Sequence, residues 1–236
     1  AVADKSKDWH YDENKYWGGF ARGICRDPIY TPYFLGPFIK YKKSPVFAPA
    51  ADSWDCGHIG GGVHNGSAVQ KDGKIFYIYR GEMPHKLVEV EGGFGGDGTD
   101  IVMSGFDYIC DIGVAESDDG IHFRRVAGPL FRNGDEDYSF EDVCCVRKDG
   151  IYYLFCNRWN WNAPKDPSQS GVFLAVSKDL LHWEPKGLVF PNAKEIHRNA
   201  CVVQNITNDA VKVNGRYMMY LNNGLVAYSD DLLHWE

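Results

Sequence analysis

A chain of 236 residues has the material for a sizeable core in one or two domains. Its formal net charge of -7 argues against nucleic acid or an anionic membrane surface as a partner, and no apolar run approaches the roughly 18 residues of a membrane-spanning helix. The 14 Tyr, 13 Phe and 7 Trp suit strands and sugar-facing surfaces better than helical bundles.

Residues 1–35 are polar and aromatic, carry Pro28 and Pro32, and read as an irregular N-terminal arm; residues 36–236 read as one all-β domain. A repeat then organises the chain into three modules, from about Gly60 to Leu130, Phe140 to Pro191, and His197 onward. Each opens on an Asp-Gly or Asn-Gly hairpin feeding alternating aromatic and aliphatic residues: Lys71-Asp-Gly-Lys-Ile-Phe-Tyr77, Lys148-Asp-Gly-Ile-Tyr-Tyr153 and Val213-Asn-Gly-Arg-Tyr217. Each closes on a Ser-Xaa-Asp turn: Ser117-Asp-Asp-Gly-Ile-His-Phe123, Ser177-Lys-Asp-Leu-Leu-His-Trp183 and Ser229-Asp-Asp-Leu-Leu-His-Trp235. Two strand pairs repeated in this way predict a radial array of small sheets, a β-propeller, with a central channel where chemistry converges.

The turn has a physical reason. Ser and Asp side chains bond nearby backbone groups, and the closing aromatic wedges between neighbouring sheets. His122, His182 and His234 recur at one place in the repeat and are therefore read as structural, which leaves His10, His58, His64, His85 and His197 as candidates. Between strands, Gly92–Gly98 and Arg158–Pro167 form long loops. Trp159 and Trp161 in the second have two readings, stacking on a sugar ring or packing the loop against a neighbouring sheet. Seven cysteines with no zinc-like spacing favour a reducing compartment, whereas Ala1-Val-Ala3 resembles the small-residue end of a signal peptide; cytoplasm and periplasm both stay open.

In a propeller the first strand of each module lines the channel. Eight residues before the hairpin glycine stand Asn65 and Asp142. In the third module that count falls on Thr207, unless Asn205–Lys212 is a hairpin insertion and the matching strand is His197–Cys201. Three polar clusters then occupy equivalent places: His64-Asn65, Glu141-Asp142 and His197-Arg198-Asn199. Strand alternation puts Glu141 and Asp142 on opposite faces, with Val143 and Cys145 on one side and Asp142, Cys144 and Val146 on the other. The competing readings are pairing of one carboxylate with Arg147, and of Arg80 with Glu82.

Gly36–Pro49, His64–Val69 with Tyr79-Arg80, Ile112–Phe123 and Phe140-Glu-Asp142, taken in order, resemble glycoside hydrolase family 130, the mannoside phosphorylases and β-mannosidases. The resemblance implies a five-bladed propeller, of which three modules are part, and hence completion by further chain, a partner or a homo-oligomer. It implies an inverting enzyme acting on an oligosaccharide. Asp142 is the acid, passing its proton through a hydroxyl of the bound mannose, and Asn65 and Arg80 hold the sugar. His64, Glu141, Arg158, Trp159, His197, Arg198 and Asn199 complete the expected substrate-binding set, with no metal or cofactor beyond inorganic phosphate as a co-substrate. Two departures stand out: Val143-Cys144 and Asn199 replace the family's Pro-Arg and Asp. A dianion needs converging cations, so the missing Arg tips the expected nucleophile slightly toward water. The rivals are the five-bladed family 43 and 32 glycosidases, which need a carboxylate where Asn65 stands, and a non-catalytic sugar-binding propeller.

Overall fold

The computed structural model describes residues 41–57, 62–90, 103–132 and 137–236, so the predicted arm, residues 1–35, and the Gly92–Gly98 loop lie outside the described residues. All described strands belong to one compact unit, Val46–Glu236. Among the described residues the chain is all-β, its one helical turn being a 3-10 segment at Asn222–Gly224.

Among the described residues, twelve strands build three four-stranded antiparallel sheets that follow the three modules. The first contains β1 (Val63–Lys71), β2 (Lys74–Val90), β3 (Met103–Ser117) and β4 (Arg124–Ala127) in sequential order. The second repeats this with β5 (Tyr138–Lys148), β6 (Ile151–Asn160), β7 (Gly171–Ser177) and β8 (Glu184–Leu188). In the third, β11 (Arg216–Tyr220) pairs with β12 (Val226–Ser229) and with two short strands, β9 (Cys201–Val202) and β10 (Lys212–Val213). These two are one first strand interrupted by residues 203–211, where Gln204 bridges Ala210 and the Asn205 N–H bonds the Asp209 carbonyl at 3.0 Å. The hairpin insertion is therefore present, ending one residue earlier than the sequence suggested. Arg147 docks it, its Nε donating to Asp209 Oδ1 at 2.7 Å rather than to a carboxylate of the predicted site.

Local chemistry explains the hairpins. Asp72-Gly73, Asp149-Gly150 and Asn214-Gly215 all have positive φ, which two-residue turns matching strand twist require. The Ser-Xaa-Asp turns are near copies. Ser117, Ser177 and Ser229 Oγ each accept the N–H three residues on at 2.9 Å. Asp119, Asp179 and Asp231 accept two further N–H groups and the ring Nδ1 of His122, His182 and His234 at 2.7 to 2.8 Å. All three histidines are exposed and equivalent, which supports their structural reading. Where the first turn has Gly120 at positive φ, the others hold Leu180 and Leu232 there, both fully buried, so packing compensates the backbone cost.

Among the described residues the core is two large seams and a small cluster of Ile109, Trp159 and Trp161. Val69, Phe76, Ile78, Ile112 and Val114 of the first sheet meet Phe140, Cys145, Leu154, Cys156, Phe173 and Ala175 of the second. On the other face of the second sheet, Cys144, Val146, Phe155, Val172 and Leu174 meet Val202, Tyr217, Met219 and Ala227 of the third. Burial on both faces is why β5 to β7 read as nearly continuous apolar runs. Two of the closing aromatics wedge as predicted, Trp183 against the first seam and Trp235 against the second, whereas Phe123 packs edge-on to Phe47 and Tyr77.

Candidate active site

Three residues with left-handed backbone converge at one end of the sheets: Asn65 (φ 48), Asp142 (φ 50) and Asn199 (φ 58). β1 and β5 slip register there, between His64 and Ser67 and between Glu141 and Cys144. Asn and Asp are the side-chain-bearing residues that best tolerate this conformation, and a bulge re-aims the side chains that follow. Asn65, Gly66, Asp142, Val143, Asn199 and Ala200 line a cleft of about 430 Å³. The bulge also overturns one expectation. Alternation separated Glu141 from Asp142, yet both carboxylates face Arg80 Nη1, at 3.3 and 3.5 Å. Beyond the bulge alternation resumes as expected, Cys145 entering the first seam and Cys144 and Val146 the second.

Asp142 is gripped on both oxygens. Asn65 Nδ2 donates to Oδ1 at 2.7 Å and Asn157 Nδ2 to Oδ2 at 3.1 Å. Asn157 also ties in Asn199, donating to its Oδ1 at 3.0 Å and accepting its backbone N–H at 2.9 Å. With 29% of its side chain exposed, Asp142 still faces the cleft.

Behind it lies a charged bracket. Arg80, 8% exposed, reaches Glu82 Oε1 with Nη2 at 2.8 Å while Nη1 faces Glu141 and Asp142, so a structural pair with Glu82 and a site role coexist. Glu82 also bonds His64 Nε2 and the Gly62 N–H, each at 2.8 Å. Burial opposes its charge, but the His64 bond, the Arg80 charge and the Gly62 N–H prevail and hold its pKa down to about 2. The same bond raises the His64 pKa. Burial pushes Glu141 up, with Arg80 opposing and the Asp142 charge adding to it. Burial lowers the Arg198 pKa against the charges of Glu141 and Asp142, and its guanidinium lies 5.6 Å from the Trp159 ring centroid.

Other predicted residues lie apart from the cleft lining. Arg158 donates Nε to the Gln169 carbonyl at 2.9 Å and covers the Tyr138 ring at 5.1 Å. Trp159 and Trp161 are buried with Ile109, which is the packing reading, and Trp161 Nε1 donates to Ser139 Oγ at 3.0 Å. The His197 ring packs edge-on to Phe190, centroids 5.3 Å apart. Asn157 was missed by the sequence reading. Its signal was register: Arg80 pairs with His64 across the first hairpin, and Asn157 pairs with Glu141 across the second.

No family model matches the chain. A 1,2-β-oligomannan phosphorylase from a Thermoanaerobacter species is 30% identical over 208 residues, covering 84% of this chain and 59% of the relative. A solved β-1,2-mannobiose phosphorylase from Listeria innocua, 18% identical, has a TM-score of 0.58 over 83% of this chain and 64% of its own. A third protein comes from work stating that the GH130 family of mannoside phosphorylases contains glycoside hydrolases that target β-1,2 mannosidic linkages in Candida mannan. It is 22% identical, with a TM-score of 0.63 over 86% of this chain and 58% of that one. Together these matches support assignment of the chain to glycoside hydrolase family 130. The chain spans about three-fifths of the length of the family 130 relatives it matches. Of the segments that carried the family 130 resemblance, His64–Val69, Tyr79-Arg80 and Phe140–Asp142 fall on β1, β2 and β5 and bring Asn65, Arg80 and Asp142 together, while Ile112–Phe123 runs from β3 into the first Ser-Xaa-Asp turn. At one family 130 departure, Cys144 is 6% exposed and turned into the second seam.

Proposed function

We propose that this chain supplies three blades of a five-bladed propeller enzyme that cleaves β-mannosidic linkages in manno-oligosaccharides with inversion, Asp142 acting as the general acid. The observation that carries the reading is the grip on Asp142. Two amides fix both its oxygens while its face stays open to the cleft, so a proton donor is pre-aimed at a bound sugar at little reorganisation cost. Arg80, held at its far side by Glu82, presents a rigid fork to the same place, where sugar hydroxyls find directional donors. Three sheets in a chain about three-fifths the length of its relatives agree with three blades of five.

For the nucleophile we take phosphate. Cys144 and Asn199, standing where the family pattern has Arg and Asp, favoured water. The oligomannan and mannobiose relatives, both phosphorylases, weigh the other way, and Arg198, which feels the charges of the two carboxylates, is a cation for an incoming dianion. In phosphorolysis a phosphate oxygen attacks C1 from the face opposite the leaving oxygen, the C1–O bond breaks, and the leaving oxygen takes the proton originating at Asp142. The product is an α-mannose 1-phosphate. The test is incubation with β-1,2-mannobiose with and without inorganic phosphate, following sugar phosphate by phosphorus NMR and free mannose by chromatography. Phosphate-dependent mannose 1-phosphate is expected. Phosphate-independent release of mannose alone would replace phosphate by water, and no cleavage of any β-mannoside would overturn the reading.

A further inference from the structure

The hairpin insertion of the third module reaches beyond its own sheet. β1 and β5 are edge strands, and in a propeller such edges face the channel. The insertion pairs with the free edge of β5. The Arg147 N–H donates to the Asn208 carbonyl at 2.6 Å, the Ala210 N–H to the Arg147 carbonyl at 2.8 Å, and Arg147 Nε to Asp209 Oδ1 at 2.7 Å. From there Asn208 Nδ2 donates to the Ala68 carbonyl of β1 at 3.0 Å, and to Gln204 Oε1 at 3.1 Å. One loop of the third module thus holds the first strands of the other two. The loop is shaped beforehand, since Asn205 Oδ1 accepts the N–H groups of Thr207 and Asp209, each at 2.9 Å.

We propose that Asn208 is a positioning residue for Asp142, acting through β1. By tying Ala68 to a loop docked on β5, it sets how closely Asn65 approaches the Asp142 carboxylate. Three contacts then cross the first seam in order: Asn65 to Asp142 at 2.7 Å, Ser67 Oγ to the Cys145 N–H at 3.3 Å, and Ala68 to Asn208. The last lies three residues along β1 from the first, about 10 Å at strand rise. β1 needs these ties because its register to β2 slips between His64 and Ser67, where a bulge leaves Asn65 outside the ladder. Asn157 reaches Asp142 from within the second sheet and does not depend on them. The proposal rests on the reading of Asp142 as the acid only for its effect on turnover.

The experiment is nitrogen-15 NMR of the full chain, comparing wild type with Asn208→Gly and Asn208→Asp. Asn208 has φ 63, a backbone that Gly and Asp both tolerate, and neither replacement can donate to the Ala68 carbonyl. In both variants the Asn65 side-chain amide protons should shift upfield as their bond to Asp142 lengthens. The Cys145 N–H should exchange with solvent roughly fivefold faster, as the loss of one neighbouring hydrogen bond predicts. The Asn157 side-chain amide and the Val202 N–H, which bonds Cys144 Sγ across the second seam, should keep their wild-type behaviour. Turnover of β-1,2-mannobiose with phosphate should fall about tenfold, the scale of a small misplacement at a reacting centre. An Asn65 amide that stays put would overturn the proposal. So would normal turnover in both variants, or Asn65, Asn157 and both exchange rates changing together, which is loosening of the whole array. Absence of turnover in the wild type bears on the acid reading alone, and the NMR comparison then decides the positioning.

Discussion

Glu82→Gln removes one negative charge from the bracket behind Asp142 and leaves its shape nearly unchanged. The carboxylate is 3% exposed and its pKa is held down to about 2 by the His64 bond, the Arg80 charge and the Gly62 N–H, all acting against burial. Against the ordinary glutamate value of about 4.5, that displacement amounts to about 3 kcal/mol of folding stability at roughly 1.4 kcal/mol per pKa unit. A depressed acid contributes its stability above the unfolded value and loses it as pH falls through the folded one. The Glu82 part of the gap between wild type and variant is thus full at pH 7, about 1.4 kcal/mol at roughly pH 3, and nearly gone at roughly pH 2, while the raised His64 adds a part that fades as pH rises past its folded value. Urea unfolding of both proteins at these pH values measures it, and the other depressed aspartates cancel because both proteins carry them. A gap that is small at neutral pH, or that does not shrink in acid, would refute the electrostatic account of the bracket.

Asp142→Asn should lower turnover on the cognate mannoside by about 100-fold or more, in steady-state assays, while circular dichroism still reports the native sheet content. In the repeated turn, Asp179→Ala should cost about 1–2 kcal/mol in denaturant unfolding, because two backbone N–H groups lose their acceptor. His182→Ala, which loses only an exposed ion pair, should cost under about 1 kcal/mol. Gly113→Ala should cost roughly 2 kcal/mol or more in thermal or urea melts, since its methyl would sit 2.5 Å from Tyr79 Cζ and 2.7 Å from Trp54 Cζ2.

The repeat was legible because its parts are local. An Asp-Gly hairpin and a Ser-Xaa-Asp turn each write their conformation into a few adjacent residues, and all three copies of each fold alike. The clusters at Asn65, Asp142 and Asn199 were legible from their spacing to those hairpins. Their backbone was not: a bulge depends on partner strands, and period-two alternation carried through it sent Glu141 the wrong way. Arg158 and Trp159 looked like site residues because their types suit sugars; here Arg158 Nε bonds Gln169 and its guanidinium covers Tyr138, and Trp159 packs with Ile109 and Trp161. Asn157, an unremarkable amide in an apolar strand, acquires its place only from cross-strand pairing with Glu141.

Around the acid, side-chain amides and Arg80 reach across the seams toward the following module. Asn65 and Arg80 of the first module address Asp142 of the second, and Asn157 of the second addresses Asn199 of the third. The setting of the acid is thus written largely in the module before its own. A single-module transplant would deliver Asp142 stripped of Asn65 and Arg80, whereas a transplant cut in mid-module, carrying one seam whole, would keep the constellation. For recombination and for protein engineering, the transferable part of this chain is the joint between neighbours.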